Sequence, residues 1–260
     1  MKTTLPFLGN FNVIYLADTE YNPLGLKSEG QLMDIVSSWI TLCINGTIKP
    51  KLVILACNTA SIIYFHTREM QDNTQIKVLS MVDGFKKLIH DYASEITNKN
   101  VAIMGTLSTI NSGFYQETLR PVSPKMLTEI IGTRSECAVA SASFNTNKGK
   151  KEIADELSAY ESVLSDTVIL ACTCFNCIKH QIARSIGPHA TFLDPVDSLV
   201  KIVRDLLVHG YHSVKDVSDV IYLNSGDKER NAQSRLLSKE IMSECVDFQN
   251  IHISRKIRDN

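Results

Sequence analysis

Two cysteines, Cys57 and Cys172, stand at matching places in an internal repeat. The pentapeptide Val-Ile-Leu-Ala-Cys ends at Cys57 and occurs again ending at Cys172. Small polar residues follow each copy at once, Asn58 and Thr59 after the first and Thr173 after the second. A short continuous apolar run of this kind is typical of a buried parallel strand. Each cysteine is therefore expected at the carboxyl end of a strand, the edge where open α/β sheets bind their ligands.

The position of these thiols indicates proton-transfer chemistry. A cysteine at a strand-to-helix junction lies near free N–H groups and the positive end of the helix dipole, which are expected to lower the thiol pKa. The same N–H groups, with Asn58, Thr59 and Thr173, would hold a substrate carboxylate. Two thiols on opposite sides of a small chiral molecule can invert one carbon, because one thiolate removes a proton while the other thiol returns one. We therefore predict Cys57 and Cys172 as paired acid/base catalysts that need no cofactor.

Other interpretations of the cysteines stay open at this point. A buried cysteine in an apolar strand is most often a small core residue. Residues 172–177 also contain three cysteines, and His180 follows three residues later. Clustered Cys and His can bind zinc, but structural zinc sites usually use two separated pairs, and Cys174 and Cys177 form only one. That pair also fits a redox motif, although no thioredoxin-like pattern flanks it. We predict no metal site.

Strand-like and helix-like segments alternate along the chain, which predicts parallel sheets covered by helices on both faces. Strands are expected over residues 13–16, 51–56, 77–79, 101–104 and 167–171, and helices over 29–44, 84–96 and 150–164 and after each repeat cysteine. The repeat further predicts two pseudo-symmetric lobes with the active site between them. We assign residues 1–97 and 208–260 to the first α/β lobe and residues 98–207 to the second.

Bulk composition excludes several classes of protein. Of 260 residues, 44% are hydrophobic and 21% are charged, as in ordinary globular proteins. A formal net charge of -1 gives no electrostatic reason to expect nucleic acid or an anionic membrane as partner. The seven cysteines and the lack of a signal sequence favour reduced thiols, hence a cytoplasmic location. A homodimer, the commonest soluble assembly, is kept as a candidate.

Six segments resemble, in order and at sensible spacing, motifs of the glutamate racemase family, within the wider aspartate/glutamate racemase superfamily. The first catalytic motif of that family, Ala-Cys-Asn-Thr-Ala-Ser, is present without a change at residues 56–61, and the second begins identically at residues 171–173. The remaining matches are residues 15–19, 23–28, 105–115 and 222–227.

The resemblance implies a two-lobed α/β fold with Cys57 and Cys172 as the acid/base thiols. It implies a free amino acid as the small-molecule substrate and no cofactor. It also implies the substrate-binding positions, which are Leu24, Gly25, Asn58, Thr59, Thr106, Thr109, Thr173 and Cys174.

The chain departs from the family pattern around the thiols. The family has an Asp-Ser-Gly segment upstream of the region around Leu5, where we find no counterpart, and that Asp assists the first thiol. The second motif normally ends in His, and Cys174 stands there. The expected acidic residue after Cys137 aligns loosely with Asn145, and the tyrosine of the Pro-Tyr-Gly loop is Leu24. Lost orienting partners typically cost orders of magnitude in rate.

Three functions are consistent with this sequence. The first is an isomerase that interconverts the enantiomers of glutamate or a similar acidic amino acid, which the resemblance connects to peptidoglycan precursor supply. The second is a catalytically impaired or repurposed homologue that acts as a binding or regulatory module. The third is another reaction on the same scaffold, such as a one-thiol decarboxylation or an epimerisation.

Overall fold

The computed structural model describes residues 12–46, 49–67, 76–210, 220–242 and 249–253. Its strands are β1 (Val13–Ala17), β2 (Leu52–Leu55), β3 (Lys77–Ser80), β4 (Asn100–Gly105), β5 (Met126–Ile131), β6 (Thr167–Ala171), β7 (Thr191–Leu193), β8 (Val220–Asn224) and β9 (Gln249–Asn250). Its helices are α1 (Glu29–Asn45), α2 (Asn58–His66), α3 (Met81–Asp91), α4 (Leu107–Asn111), α5 (Phe114–Leu119), α6 (Thr133–Ala140), α7 (Asn147–Leu157), α8 (Lys179–Ile186), α9 (Pro195–Gly210) and α10 (Lys228–Met242).

These strands form parallel sheets. One sheet has the order β1-β8-β9, a second pairs β2 with β3, and the third has the order β5-β4-β6-β7. Every strand pair is parallel, so helices or short 3-10 turns connect the strands and cover the sheets. The predicted α/β class with helix-flanked parallel sheets is confirmed.

The two copies of the repeat end in the same way. β6 lies in the interior of the third sheet with all five of its residues buried, as predicted. The predicted burial is wrong for β2, where only Leu55 is buried and Ile54 is 40% exposed, because β2 pairs with β3 alone in a two-stranded sheet. Cys57 and Cys172 each take an extended conformation and cap the next helical segment, with φ/ψ of -126°/128° and -148°/127°. The shared pentapeptide thus folds into one local structure twice.

Helix boundaries differ from the predicted ones for local reasons. The helix predicted over 84–96 begins at Met81, because the Ser80 hydroxyl and the Asp83 carboxylate cap it, and it ends at Asp91. The helix predicted over 150–164 begins at Asn147, since the side chain of Thr146 accepts a hydrogen bond from the backbone N–H of Gly149. It ends at Leu157, where a 3-10 turn (Ser158–Tyr160) follows, so Leu164 lies outside the helix and is 81% exposed.

The apolar core joins the parts of the chain that carry the two cysteines. Phe85 of α3 packs with Val101 and Ile103 of β4 and with Ile169 of β6 in one buried cluster. Helix α9 packs on α3 and contributes Leu199 to another cluster, with Leu79 of β3. The helices of the described ranges are all too short or too polar to span a lipid bilayer. The division at residues 97 and 207 stays a prediction.

Candidate active site

Cys57 lies at the junction between β2 and α2. The backbone N–H groups of Ala60 and Thr59 donate hydrogen bonds to its sulfur, which lowers the thiol pKa as predicted for a helix N-terminus. Burial has the larger and opposite effect, because removing a thiolate from water is costly, and it raises the pKa of Cys57 to about 11. The predicted lowering of this pKa is therefore wrong, and Cys57 rests as a neutral thiol at neutral pH.

Cys172 precedes a different kind of helix from the one after Cys57. The segment Thr173–Ile178 is a 3-10 helix, and α8 begins only at Lys179. The predicted α-helix directly after Cys172 is thus wrong, and the thiol lacks the full dipole of an α-helix. A hydrogen bond with the Cys174 thiol and burial raise the pKa of Cys172 well above its usual range. The predicted lowering of the pKa is wrong here too, and the charge of Cys57 contributes to the rise.

Three threonine hydroxyls form a buried group beside Cys57. The hydroxyl oxygen of Thr59 lies 3.2 Å from that of Thr106 and 3.1 Å from that of Thr109, and the Thr106 hydroxyl donates to Thr109 at 3.0 Å. Thr106 also caps α4, because its side chain accepts a hydrogen bond from the N–H of Thr109. Thr106 therefore both caps α4 and belongs to the threonine group beside Cys57. The structure brings together three of the predicted substrate-binding residues.

Asn58 presents an unpaired donor. Its carbonyl oxygen accepts a hydrogen bond from the hydroxyl of Tyr115, while its side-chain nitrogen is buried and has no hydrogen-bond partner in the described part of the chain. Charges of both Cys57 and Cys172 raise the pKa of Tyr115, after the larger effects of burial and Asp194. Asn58 and Tyr115 therefore lie close to both thiols.

Two further predicted residues, Leu24 and Gly25, come to the candidate site from a loop in another part of the chain. The side chain of Leu24 packs in a core cluster with Leu32 and Ile35. The N–H of Gly25 donates to the Glu136 side chain at 3.1 Å, and its carbonyl accepts from the Ser108 hydroxyl at 2.8 Å. Gly25 thus connects the loop before α1 with α4 and α6.

Glu136, on the first turn of α6, is absent from the residues predicted on sequence grounds. It is 5% exposed, and burial raises the pKa of its carboxyl group to about 7, with a further rise from Glu156. The charge of Glu136 in turn raises the pKa of Cys57 and of Cys172. An acidic residue early in a helix is common, because it complements the dipole, so the sequence offered no signal for a role in the site.

The remaining predicted residues, Thr173 and Cys174, are half-buried. Cys174 contacts Cys172 and acts electrostatically on Tyr15 of β1, which brings the first sheet close to the second thiol. Within the described ranges, no group of three or more His, Cys, Asp or Glu side chains is arranged to hold a metal. The six cysteines described there are free thiols, Cys174 and Cys177 among them.

Replacement of Gly25 by alanine is expected to destabilise this part of the protein. A Cβ atom at Gly25 would lie 2.3 Å from Oε2 of Glu136 and 2.5 Å from Cβ of Thr106, so both side chains must move. Overpacking of this kind costs about 1–3 kcal/mol of unfolding free energy. Urea unfolding of Gly25→Ala measures the loss, with Leu26→Ala as control because Leu26 is 50% exposed in the same turn. Equal stability of the two variants would contradict the close contact.

The arrangement of sheets and helices is shared with solved glutamate racemases. The fold matches a glutamate racemase isoform from Bacillus anthracis with a TM-score of 0.79 at 16% identity, over 96% of this chain and 90% of that one. It also matches glutamate racemase from Escherichia coli, solved with L-glutamate and the activator UDP-MurNAc-ala, with a TM-score of 0.75 at 18% identity, over 98% of this chain and 92% of that one. The protein therefore has the α/β fold of glutamate racemases.

Sequence comparison identifies the family. Residues 45–203 match the family model described as Asp/Glu/Hydantoin racemase. Glutamate racemase from Buchnera aphidicola is 32% identical over 197 residues, which are 74% of this chain and 73% of the relative. The chain belongs to the Asp/Glu/hydantoin racemase family, and its curated relatives include glutamate racemases.

Proposed function

We propose that this protein is a cofactor-independent racemase of glutamate or a similar acidic amino acid, with Cys57 and Cys172 as its two acid/base groups. The observation that carries the proposal is the equivalent placement of the two thiols. Each caps the segment after a parallel strand, and each is close enough to Glu136 and Tyr115 to share their electrostatic environment. Glutamate racemases among the relatives support the reaction class.

The raised pKa values define the protonation steps. In the free protein both sulfurs carry protons, since with a pKa of about 11 only roughly one Cys57 in ten thousand is a thiolate at pH 7. A thiol gains acidity when a cation approaches, so the substrate ammonium group favours loss of one thiol proton to the solvent, which leaves a thiolate. The thiolate then takes the α-hydrogen as a proton, and the electron pair stays on the α-carbon. The opposite thiol donates its proton to the other face, which leaves one thiol and one thiolate with their roles exchanged.

The polar residues beside Cys57 would hold the substrate. The side-chain nitrogen of Asn58, which has no partner among the described residues, and the threonine hydroxyls supply donors for a carboxylate. Donors positioned in a site without water also stabilise charge that develops on the carboxylate as the α-proton leaves. We assign substrate binding to Gly25, Asn58, Thr59, Thr106, Thr109 and Thr173 on this basis, with Leu24 and Cys174 lining the site.

The reaction also indicates a biological role. The Escherichia coli enzyme with the same fold was solved with L-glutamate and an activator that carries MurNAc-ala, a peptidoglycan-type group. A cytoplasmic supply of D-glutamate for peptidoglycan precursors is the role that fits this reaction.

Hydrogen exchange at the α-carbon tests the proposal. We expect purified protein in D2O, without added cofactor, to replace the α-hydrogen of L-glutamate by deuterium and to form D-glutamate. Proton NMR follows the exchange and circular dichroism follows the optical rotation. Absence of exchange with glutamate, aspartate and every other common amino acid would refute the racemase.

A second candidate is a binding or regulatory module without turnover. The observation that favours it is that no basic group acts on Cys172 among the described residues. The neighbour of this thiol is the thiol of Cys174, where the resembling family has a histidine. This candidate predicts saturable amino-acid binding with no α-hydrogen exchange in the same D2O experiment.

A further inference from the structure

Glu136 has one carboxylate oxygen that nothing in the described structure satisfies. Its Oε1 accepts a hydrogen bond from the N–H of Gly25 at 3.1 Å, whereas Oε2 is buried and has no hydrogen-bond partner. A buried carboxyl group usually has partners for both oxygens, because an unpaired one loses its hydration without compensation. Oε2 is thus a buried hydrogen-bond acceptor that has no donor among the described residues.

This free oxygen lies within the candidate active site. A Cβ atom at Gly25 would touch both Oε2 of Glu136 and Cβ of Thr106, so the two side chains meet at the same point of the loop. Thr106 in turn contacts Thr59, the second residue after Cys57. The charge of Glu136 raises the pKa of both Cys57 and Cys172, so the carboxyl group lies near both thiols.

The charges of the side chains in the site limit which groups can bind to Oε2 of Glu136. The described side chains that form the site are cysteine, asparagine, threonine, tyrosine and Glu136, and none of them is positively charged. The described residues of the site thus offer Oε2 of Glu136 no cation, and a ligand can bring one. Every free α-amino acid carries one, its α-ammonium group, bound to the carbon that must lie between the thiols.

We propose that Oε2 of Glu136 receives the α-ammonium group of the substrate and so selects free α-amino acids over compounds that lack this cation, hydantoins included. The inference deepens the proposed function, since it rests on the same site and names the class of substrate. The family description covers both amino acids and hydantoins, and Glu136 is the residue of this chain that separates them. It also supplies a carboxyl group in a site that lacks the acidic residue expected near Asn145.

The ionisation of the Glu136 carboxyl group is suited to binding an ammonium group. Its pKa of about 7 means that Glu136 is partly protonated in the free protein. Burial and the charge of Glu156 raise this pKa, and the charge of Glu136 in turn raises the pKa of Cys57 and of Cys172. An ammonium group within hydrogen-bond distance favours the carboxylate, so substrate binding releases a proton from Glu136. A charge-assisted hydrogen bond then replaces the unpaired oxygen.

Calorimetric binding of two matched ligands tests the inference. L-Glutamate and α-hydroxyglutarate differ only in the group at the α-carbon, ammonium in one and hydroxyl in the other. We expect the wild-type protein to prefer glutamate by tenfold to a hundredfold, roughly the value of a charge-assisted hydrogen bond. Glu136→Gln keeps an acceptor for Gly25 and loses the charge, so its preference is expected to fall to within about threefold. Glu129→Gln, which removes an exposed carboxylate from β5, serves as control and is expected to behave as wild type.

The outcomes separate this inference from the proposed function. An unchanged preference in Glu136→Gln overturns the inference even if α-hydrogen exchange is observed. Equal binding of both ligands by wild type, or binding of neither, also overturns it. A preference that depends on Glu136 in a protein without exchange supports the inference while the racemase proposal fails. Circular dichroism at pH 5 verifies that the variant is folded.

Discussion

Replacement of either Cys57 or Cys172 by serine is expected to abolish racemisation, lowering its rate by about a hundredfold to ten-thousandfold. A serine hydroxyl is far less acidic than a thiol, so it neither forms the base nor returns a proton at a useful rate. Each direction of the reaction needs one thiolate and one thiol, so both single variants lose both directions. Polarimetry with L- and D-glutamate measures the loss.

The two variants are expected to differ in hydrogen exchange. Each retains one thiol, which can remove and return the α-proton of the enantiomer that faces it. In D2O, Cys57→Ser and Cys172→Ser should therefore each exchange the α-hydrogen of one enantiomer for deuterium without inverting the α-carbon. The two variants should act on opposite enantiomers. Cys43→Ser is the matched control, because Cys43 is a half-buried thiol on α1 outside the site. Racemisation that survives in either site variant would rule out the two-thiol mechanism.

Replacement of Glu136 by glutamine is expected to stabilise the free protein at alkaline pH. The pKa of this carboxyl rises from 4.5 to about 7 on folding, so the folded state binds the proton more tightly than the unfolded state. Wild-type stability is therefore fully retained below about pH 4.5 and is lost as the pH rises through 7. At pH 8.5 the loss amounts to as much as about 3 kcal/mol, which the neutral glutamine does not suffer.

Urea unfolding at pH 5 and pH 8.5 measures this difference. The stability gain of Glu136→Gln over wild type is expected at pH 8.5 and is expected to shrink strongly at pH 5. Glu129→Gln, at an exposed position, should show no such pH dependence. A gain of the same size at both pH values would mean that packing, and not the charge of Glu136, causes it. Added glutamate should reduce the gain at pH 8.5, because the bound ammonium group stabilises the carboxylate.

Local sequence patterns were sufficient to predict much of the architecture. The repeated Val-Ile-Leu-Ala-Cys correctly predicts strands before Cys57 and Cys172, because a short continuous apolar run followed by small polar residues fits few other structures. Only the second strand is buried throughout, since burial depends on the sheet around the strand. The parallel arrangement follows from the helices between the strands. Helix ends were predicted less well, because a single cap such as Ser80 or Thr146 decides them.

The electrostatics of the site could not be predicted from the sequence. The lowered thiol pKa values were inferred from residues adjacent in the chain, and the backbone donors to Cys57 do exist. Desolvation, the larger effect, arises from tertiary packing, which neighbouring residues do not reveal. Glu136 was missed for the same reason, since its contact with Gly25 spans more than a hundred residues.

The threonine group combines fixed oxygen positions with hydrogen positions that can change. Thr59, Thr106 and Thr109 hold their oxygens 3.0–3.2 Å apart, and the Thr106 hydroxyl donates to Thr109. In the two bonds that join Thr59 to Thr106 and Thr109 either oxygen can be the donor, so rotation of hydroxyl hydrogens changes their direction while no heavy atom moves. A side-chain dipole two residues from Cys57 can thus turn within a rigid scaffold.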